Sequence, residues 1–308
     1  MNPFNQRGNR GIISTGSGQV NVSNTSFGDH SPVTAFPVKS AEEPSSEGAF
    51  ARADIGVITV LSEETSAVVG ALSAMGNCQK RTHGDGLRFY DAVVDLAGSP
   101  MRVAVTQSLS VGPMPTVIAV ENLRRCYGPA VVVLVGIAGG IHHSVRLGDV
   151  VVVQEVIYYD LRKETQAGVV RRGQTRSVPA VIRRALNDFF STHGEPYLVH
   201  STDPDGAFRD YKTLTGPIGS GEAVIAYKGS DIRRYLTAFN DKTLAVETEA
   251  GGIAEAFYET ADEPGTGWLA IRGISDHADA DKDDAFHQVA SWHAAAMLIG
   301  LLPYLKQR

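Results

Sequence analysis

The sequence predicts an α/β fold from residue 51 to 308, one domain whose mostly parallel or mixed central sheet is flanked by helices. Three observations support this prediction. Valine- and isoleucine-rich runs at residues 130–135 and 149–157 are typical of strands buried on both faces. Stretches with helical periodicity separate such runs along the chain. Of the 308 residues, 43% are hydrophobic, which is enough to bury a large core.

The predicted elements alternate between strand and helix, which favours parallel pairing. In chain order they are a strand at 55–61, a helix at 63–74, a strand at 101–106, a helix at 115–127, strands at 130–135 and 149–157, a helix at 179–190, strands at 223–227 and 243–246, a helix from Ala250, a strand at 268–271 and a helix from Asp283.

Residues 1–50 differ in composition from the rest of the chain. They are rich in Gly, Ser, Asn and Pro and lack helical periodicity, so a flexible tail is expected. Within them, residues 10–29 alternate Val20, Val22 and Phe27 with small polar residues, a pattern that can stack as cross-β. This segment resembles the amyloid-type signalling motifs that precede effector domains in bacterial and fungal defence proteins. A disordered tail and a motif that recruits a tail-mediated partner both stay open.

The composition excludes several classes of partner. A net charge of -6 argues against a nucleic-acid-binding surface, which would be basic. Two cysteines, Cys78 and Cys126, cannot form a disulfide framework and indicate a reduced compartment. The apolar run at 130–141 is short and interrupted by glycines, and no signal segment starts the chain. We therefore expect a cytoplasmic protein with no membrane partner.

The glycines of residues 135–141 follow a predicted strand, and Asp160 lies about twenty residues further on, as in a dinucleotide-binding motif. The turn at 147–149 and the valine-rich strand after it leave no room for the helix that would carry the pyrophosphate. The glycines instead indicate a close approach of the backbone to a flat ligand or to another strand.

No metal site is expected. The acidic run at 276–284 has alternate aspartates, but Asp284 and Ala290 occupy the places of the glycine and glutamate that a calcium loop requires. His142 and His143 are adjacent, which is poor geometry for two ligands of one metal. The chain also has no Gly-x-Ser-x-Gly elbow, which excludes an α/β-hydrolase serine site.

Three carboxylates follow predicted strands at their carboxyl ends: Glu64, Glu249 and Asp276. Open α/β sheets bind ligands at this edge. Three such groups suit the cleavage of an N-glycosidic bond, which passes through an oxocarbenium-like state. An acid neutralises the leaving base, a second carboxylate activates water, and a third binds the sugar hydroxyls.

These carboxylates occur together with four ordered motifs: GIAGG at 136–140, the LGDVV strand start at 147–151, VETEA at 246–250 and the Ser275-Asp276 pair. The set resembles the nucleoside phosphorylase/nucleosidase superfamily, and most closely its methylthioadenosine/S-adenosylhomocysteine nucleosidase branch. The resemblance covers the chain from residue 54 to the C-terminus.

The resemblance implies a role for each matching residue. Glu64 would activate the attacking water, and Asp276, assisted by Ser275, would deliver a proton to N7 of the purine. Glu249 would hold the ribose hydroxyls with Glu247 as support. The implied reaction is hydrolysis of the N-glycosidic bond of an adenine nucleoside or nucleotide, releasing adenine, without a cofactor, in a homodimer or larger homo-oligomer. Other implied substrate contacts are Val224 and Ile225 at the base, Ser108 or Ser110 at the sugar, Gly139 in the glycine turn, and Thr248, which stands where the family has methionine.

A basic insertion follows the strand at 149–157, and because of it the chemical identity of the 5′ substituent of the substrate stays undecided. Arg162, Lys163, Arg171 and Arg172 are candidate phosphate contacts, because a 5′-phosphorylated substrate such as ATP would require cations. A solvated loop is the alternative for such a charge run. A methylthio substrate would need no cations.

Three alternative functions stay open. The first is an ATP-cleaving defence effector assembled through the tail. The second is phosphorolysis, which the missing phosphate arginine before the glycine turn and the missing Gly-Asp-Pro loop disfavour. The third is a signalling protein that binds a nucleoside without cleaving it, which the retention of all three carboxylates disfavours, since binding alone requires no acid and base.

Overall fold

The computed structural model describes residues 50–96, 98–202, 206–260, 266–280 and 284–306, which fall in one compact unit, Phe50–Arg308. The predicted tail, apart from Phe50, and its segment 10–29 lie outside the described residues. Asp283, where the last helix was predicted to begin, also lies outside them.

The described chain contains thirteen strands and six helices. The strands are β1 Ile55–Thr59, β2 Gly76–Thr82, β3 Arg88–Leu96, β4 Ser99–Gln107, β5 Val131–Gly140, β6 Val150–Tyr158, β7 Arg162–Thr165, β8 Gly168–Arg171, β9 Gln174–Ser177, β10 Tyr197–Thr202, β11 Phe208–Ser220, β12 Ala245–Glu247 and β13 Gly267–Asp276. The helices are α1 Ser62–Met75, α2 Pro113–Tyr127, α3 Ala180–His193, α4 Asp231–Phe239, α5 Ala250–Glu259 and α6 His287–Leu305. None of these helices is long and apolar enough to cross a membrane.

Eleven strands form one mixed sheet. Nine lie in the order β10-β11-β6-β13-β5-β1-β4-β3-β2, while β12 pairs with β11 and β5, and β9 pairs with β6. The centre of the sheet is parallel, with β13 beside β5, β5 beside β1, and β1 beside β4. Strand β6 runs antiparallel to β13 but parallel to β11. This architecture confirms the predicted fold class.

The hydrophobic runs of the sequence form the centre of this sheet. Strand β13 is buried along its whole length, and β5 along all but one residue, as expected for strands covered on both faces by helices. The carboxyl ends of β1, β5 and β13 lie side by side because these strands are parallel. Any side chains that follow these ends are therefore brought to one edge of the sheet.

One predicted strand is wrong. Residues 223–227 have no regular secondary structure, and the neighbouring strand is β11, which ends at Ser220. Strand β11 was missed because its sequence contains polar residues, two glycines and Pro217, where the pairing with β6 shifts register. Proline cannot donate a ladder hydrogen bond and is tolerated in a sheet at such an irregularity. The short apolar run after it mimics a strand but lines a cavity instead.

Candidate active site

The three predicted carboxylates lie together. Glu64, Glu249 and Asp276 line one cavity of about 140 Å³ at the carboxyl edge of the sheet. Of the other predicted substrate residues, the cavity is lined by Glu247, Thr248, Ser275, Gly139, Val224 and Ile225. Within the described part of the chain, no lysine or arginine is among the residues that line it.

Glu64 is held by the backbone at the end of β1. It is the third residue of α1, and its Oε2 accepts hydrogen bonds from the N–H groups of Val60 (2.8 Å) and Leu61 (2.9 Å). Its Oε1 accepts from the N–H of Ile137 in β5 at 2.9 Å. Burial raises the pKa of Glu64, while Arg272 and the backbone donors oppose that rise. Three donors directed at two oxygens select the ionised form, which is the form a base requires.

Arg272 is a site residue that the sequence analysis missed. Its side chain is fully buried, and Nη2 donates to Glu247 and to Oε2 of Glu249, the latter at 3.0 Å. Its Nε and Nη1 have no hydrogen-bond partner among the described residues. A charged group that is buried with unused donors is costly, so these donors mark a place for a polar ligand or a water molecule.

Gly136 shows where Nη1 of Arg272 points. A Cβ on Gly136 would collide with both Nη1 of Arg272 and Oε1 of Glu64. Both groups therefore face the same short stretch of β5. Together they form a place where one water molecule could contact a base and a cation.

Glu247 ends β12, Glu249 follows it by two residues, and the two carboxylates differ in role. Both oxygens of Glu247 accept from backbone N–H groups of Glu249 and Ala250, at 3.0 and 3.1 Å, at the start of α5. Glu249 accepts from the N–H of Gly112 (3.1 Å) and from the hydroxyl of Thr248. Burial raises the pKa of Glu247, against the opposing charge of Arg272. Glu247 thus holds the first turn of α5 in place, whereas Glu249 contacts both Arg272 and the loop that precedes α2.

Asp276 lies at the end of β13 beside the glycine turn. Its Oδ2 accepts from the hydroxyl of Ser275 at 3.0 Å, and its Oδ1 accepts from the N–H of Ala278 at 2.8 Å. Ala278 has a φ of 50°, an unusual conformation for a residue with a side chain, and is buried. A Cβ on Gly139 would lie 2.8 Å from Oδ1 of Asp276. The glycine turn is therefore needed to let Asp276 reach the cavity.

One side of the cavity is made by the irregular segment after β11. We call residues 221–225 the base wall, because it contains the predicted base contacts Val224 and Ile225. Val224 is 65% exposed, whereas Ile225 is buried. Ala223 lines the same side.

The predicted sugar contacts Ser108 and Ser110 do not line the cavity. The buried hydroxyl of Ser108 donates to the carbonyl of Ser110 at 2.8 Å, and Val111 of the same loop lines the cavity in their place. The contact between either serine and a sugar stays a prediction.

The four candidate phosphate contacts lie on the β7–β8 hairpin and its exit. Arg162 pairs with Glu164 at 2.9 Å and with Asp160 at 3.5 Å. Arg171 donates to the carbonyl of Tyr159 at 2.9 Å, while Lys163 and Arg172 are exposed. None of the four lines the cavity, and their role in phosphate binding stays a prediction.

The sequence contains a signal for one of two further site residues, Arg272, but none for the other, His287. Arg272 interrupts the apolar run of β13 from Trp268 to Ile274, which is itself a signal, since a buried arginine needs partners. His287 lines the cavity from the first turn of α6, with Nε2 3.2 Å from Oδ1 of Asp284, and nothing in the sequence singled it out. In the described ranges, no three His, Cys, Asp or Glu side chains are grouped as metal ligands.

Comparison with protein families gives a match over most of the chain. The model of the phosphorylase superfamily matches residues 54–303. A 5′-methylthioadenosine/S-adenosylhomocysteine nucleosidase of Pseudoalteromonas translucida (strain TAC 125) is 30% identical over 258 residues, which cover 82% of this chain and 97% of that protein.

Two other comparisons extend this result. The ATP nucleosidase Cap17 of Escherichia coli (strain KTE188) is 25% identical over 262 residues, or 80% of this chain, and the chain spans about half (50%) of the length of that relative. Among solved structures, the 5′-methylthioadenosine/S-adenosylhomocysteine nucleosidase of Neisseria meningitidis in complex with methylthio-immucillin-A superposes with a TM-score of 0.60 at 22% identity. That match covers 80% of this chain and 97% of the other and shows a shared fold.

Proposed function

The chain belongs to the phosphorylase superfamily, and from this membership we propose that it hydrolyses the N-glycosidic bond of an adenine nucleoside or adenine nucleotide and releases adenine. The observation that carries the proposal is the convergence of Glu64, Glu249 and Asp276 on one cavity, with Arg272 behind them. Curated relatives named as nucleosidases of methylthioadenosine, adenosylhomocysteine and ATP support adenine as the leaving base.

The nucleophile is a water molecule activated by Glu64. Its ionised carboxylate accepts the proton of the water, and Nη1 of Arg272, which has no partner among the described residues, donates a hydrogen bond to the water oxygen. Arg272 also holds Glu249, so the base and the sugar-binding carboxylate share one cation. As the ribose ring gains positive charge, Glu249 and Glu64 stabilise it electrostatically.

Asp276 carries the proton for the leaving base. Its two oxygens are oriented by the Ser275 hydroxyl and the Ala278 N–H, and its side chain faces the cavity beside Gly139. Adenine that accepts a proton at N7 leaves as a neutral molecule, which lowers the barrier to cleavage. We expect the base wall, which lines the same cavity, to contact the adenine ring.

Hydrolysis is favoured over phosphorolysis by the lining of the cavity. Phosphate would require cations at the nucleophile position, and within the described residues no Lys or Arg side chain lines the cavity. Arg272 donates hydrogen bonds to two carboxylates, whose negative charges offset its own. It can therefore hold a water molecule but has no net positive charge left to attract a phosphate dianion.

A second candidate function is cleavage of ATP by a defence effector. The similarity to a protein named ATP nucleosidase Cap17 favours it. In this case the cations of the β7–β8 hairpin contact the phosphates, and the tail at 1–50 recruits a partner or assembles the protein.

We further propose a homodimer or larger homo-oligomer. Large apolar side chains are exposed on and just before α2, namely Leu109, Val111, Met114 and Ile118. Exposed large apolar side chains on one helix and the loop before it are typical of a surface that a second copy covers.

The substrate is tested by offering methylthioadenosine, adenosylhomocysteine and ATP side by side and measuring adenine release with and without inorganic phosphate. Release without phosphate is the expected result, with a co-product ribose that keeps the 5′ substituent and carries a hydroxyl rather than a phosphate at C1. Release that depends on phosphate would replace hydrolysis by phosphorolysis. Release from ATP alone would select the effector function.

A further inference from the structure

The base wall is attached to the end of β6 by a buried tyrosine. Tyr159 is fully buried, and its hydroxyl donates to the carbonyl of Ala223 at 2.9 Å. Its backbone N–H donates to Ser220, the last residue of β11, at 3.1 Å. Burial raises the pKa of Tyr159, so the hydroxyl stays protonated and remains a donor. The tyrosine thus contacts the middle of the wall and the residue that immediately precedes it.

Asp160 makes the second attachment. Its Oδ2 accepts from the N–H of Glu222 at 2.5 Å, inside the base wall. Its Oδ1 lies 3.5 Å from Nη1 of Arg162 and 3.8 Å from Nη1 of Arg171. Arg171 also donates to the carbonyl of Tyr159 and so links the two attachments to each other.

Gly221 allows the wall to sit against this unit. A Cβ at Gly221 would collide with the Tyr159 ring and lie 2.5 Å from Oδ2 of Asp160. The wall has no strand or helix of its own in the described chain. Three hydrogen bonds therefore determine its position: the Tyr159 hydroxyl donates to the Ala223 carbonyl, the Glu222 N–H donates to Asp160, and the Gly221 N–H donates to the Glu247 carbonyl (3.3 Å).

We propose that Tyr159 and Asp160 are positioning residues that hold the base wall against the purine, and that Arg162 and Arg171 act through Asp160. The proposal rests on the proposed function, because it assigns the wall to the leaving base. The proposal gives the basic insertion a role that does not depend on the 5′ substituent of the substrate. Arg162 and Arg171 lie outside the cavity and hold Asp160, which in turn holds the base wall.

The matched pair Tyr159→Phe and Tyr158→Phe tests the tyrosine. Tyr158 is its neighbour in sequence, and its hydroxyl makes no hydrogen bond to the described residues and faces a different cavity. Loss of one neutral hydrogen bond should raise KM for methylthioadenosine roughly 3- to 10-fold in Tyr159→Phe, with kcat nearly unchanged. Tyr158→Phe should behave as wild type. Equal KM values in the two variants would overturn the proposal.

Arg171→Gln distinguishes positioning through Asp160 from a direct contact with phosphate. If Arg171 acts through Asp160, KM should rise equally for methylthioadenosine and for any nucleotide that the protein cleaves. A direct phosphate contact predicts a loss confined to the nucleotide, and that result would contradict the role through Asp160. The apparent unfolding temperature, measured in parallel, should change by no more than a few degrees.

Hydrogen exchange tests the attachment without relying on catalysis. In Asp160→Ala the backbone amides of residues 221–225 should exchange faster than in the wild type, while those of β5 should not change. If the wild type releases no adenine, the proposed function fails, and the exchange rates still decide the attachment. Unchanged exchange in the wall would overturn it.

Discussion

At the residue scale, Glu64 determines how the reaction should depend on pH. Burial raises the pKa of Glu64 above its ordinary value of 4.5. The base must be ionised, so kcat/KM should fall as the pH is lowered through this raised pKa, at a higher pH than an ordinary glutamate would give. The measurement is a kcat/KM profile from pH 4 to 8. A profile that stays flat down to pH 4.5 would contradict the assignment.

Gly136 is the residue that separates Glu64 from Arg272. In Gly136→Ala the new methyl group would collide with Nη1 of Arg272 and Oε1 of Glu64, so adenine release should fall by at least about 100-fold, as when reacting groups are misplaced by about 1 Å. Gly70→Ala is the control, since its Cβ would meet only the Trp292 ring at 3.5 Å. Similar rates in the two variants would mean that this gap is not the nucleophile site.

The three carboxylates could be predicted from the sequence because each follows a predicted strand and belongs to a recognisable motif. Arg272 could not, because its importance depends on two glutamates 23 and 25 residues away in the chain. His287 could not either, because it reaches the cavity from a helix that follows the Ser275-Asp276 motif. Contacts across the sheet edge are a property of the tertiary structure, and composition and spacing do not reveal them.

At the scale of elements, strands with continuous apolar sequence were predicted well, and polar ones were not. Strands β5 and β6 lie where the valine runs indicated, and β13 contains the strand predicted at 268–271, because burial on both faces leaves a clear apolar pattern. Strand β2 is exposed at six of seven positions and gave no hydrophobic signal. The apolar run at 223–227 gave a false strand, since a cavity wall and a strand share the same composition.

The packing of α5 on α2 depends on Gly252. A Cβ there would collide with the backbone carbonyl of Pro113, which cannot move without shifting α2. Gly252→Ala should therefore destabilise the protein by about 1–3 kcal/mol, the usual cost of overpacking. Denaturant unfolding provides the measurement.

Gly300 is the matched control for Gly252, because it also lies inside a helix. Its Cβ would meet only Phe189 at 3.8 Å, so Gly300→Ala should be neutral or stabilise by about 0.4–1 kcal/mol. A Gly252→Ala variant as stable as Gly300→Ala would contradict the close contact of the two helices.

At the scale of the whole molecule, the tail and the catalytic domain are proposed to be separable. Deleting residues 1–45 should leave adenine release unchanged, because the described residues that line the cavity all lie after them. If the segment at 10–29 is a signalling motif, the deletion should also remove the largest species seen by sedimentation and leave the homo-oligomer of the domain. A loss of adenine release would show that the tail is part of the catalytic unit.

The β7–β8 hairpin carries the basic residues whose role the sequence left open. Its arginines suggested a phosphate site from the sequence, and in the structure two of them pair with Asp160 behind the base wall. A run of basic residues in the sequence does not distinguish phosphate binding from pairing with Asp160, because both place cations next to an anion.

The central claim is that Glu64 and Asp276 cleave an N-glycosidic bond as base and acid. The most direct measurement is adenine release from methylthioadenosine and ATP, without phosphate, by the wild type, Glu64→Gln and Asp276→Asn, each checked for folding by circular dichroism. We predict release by the wild type and a loss of at least about 100-fold in each folded variant, the scale of general acid–base catalysis. Wild-type rates in both variants would contradict the mechanism.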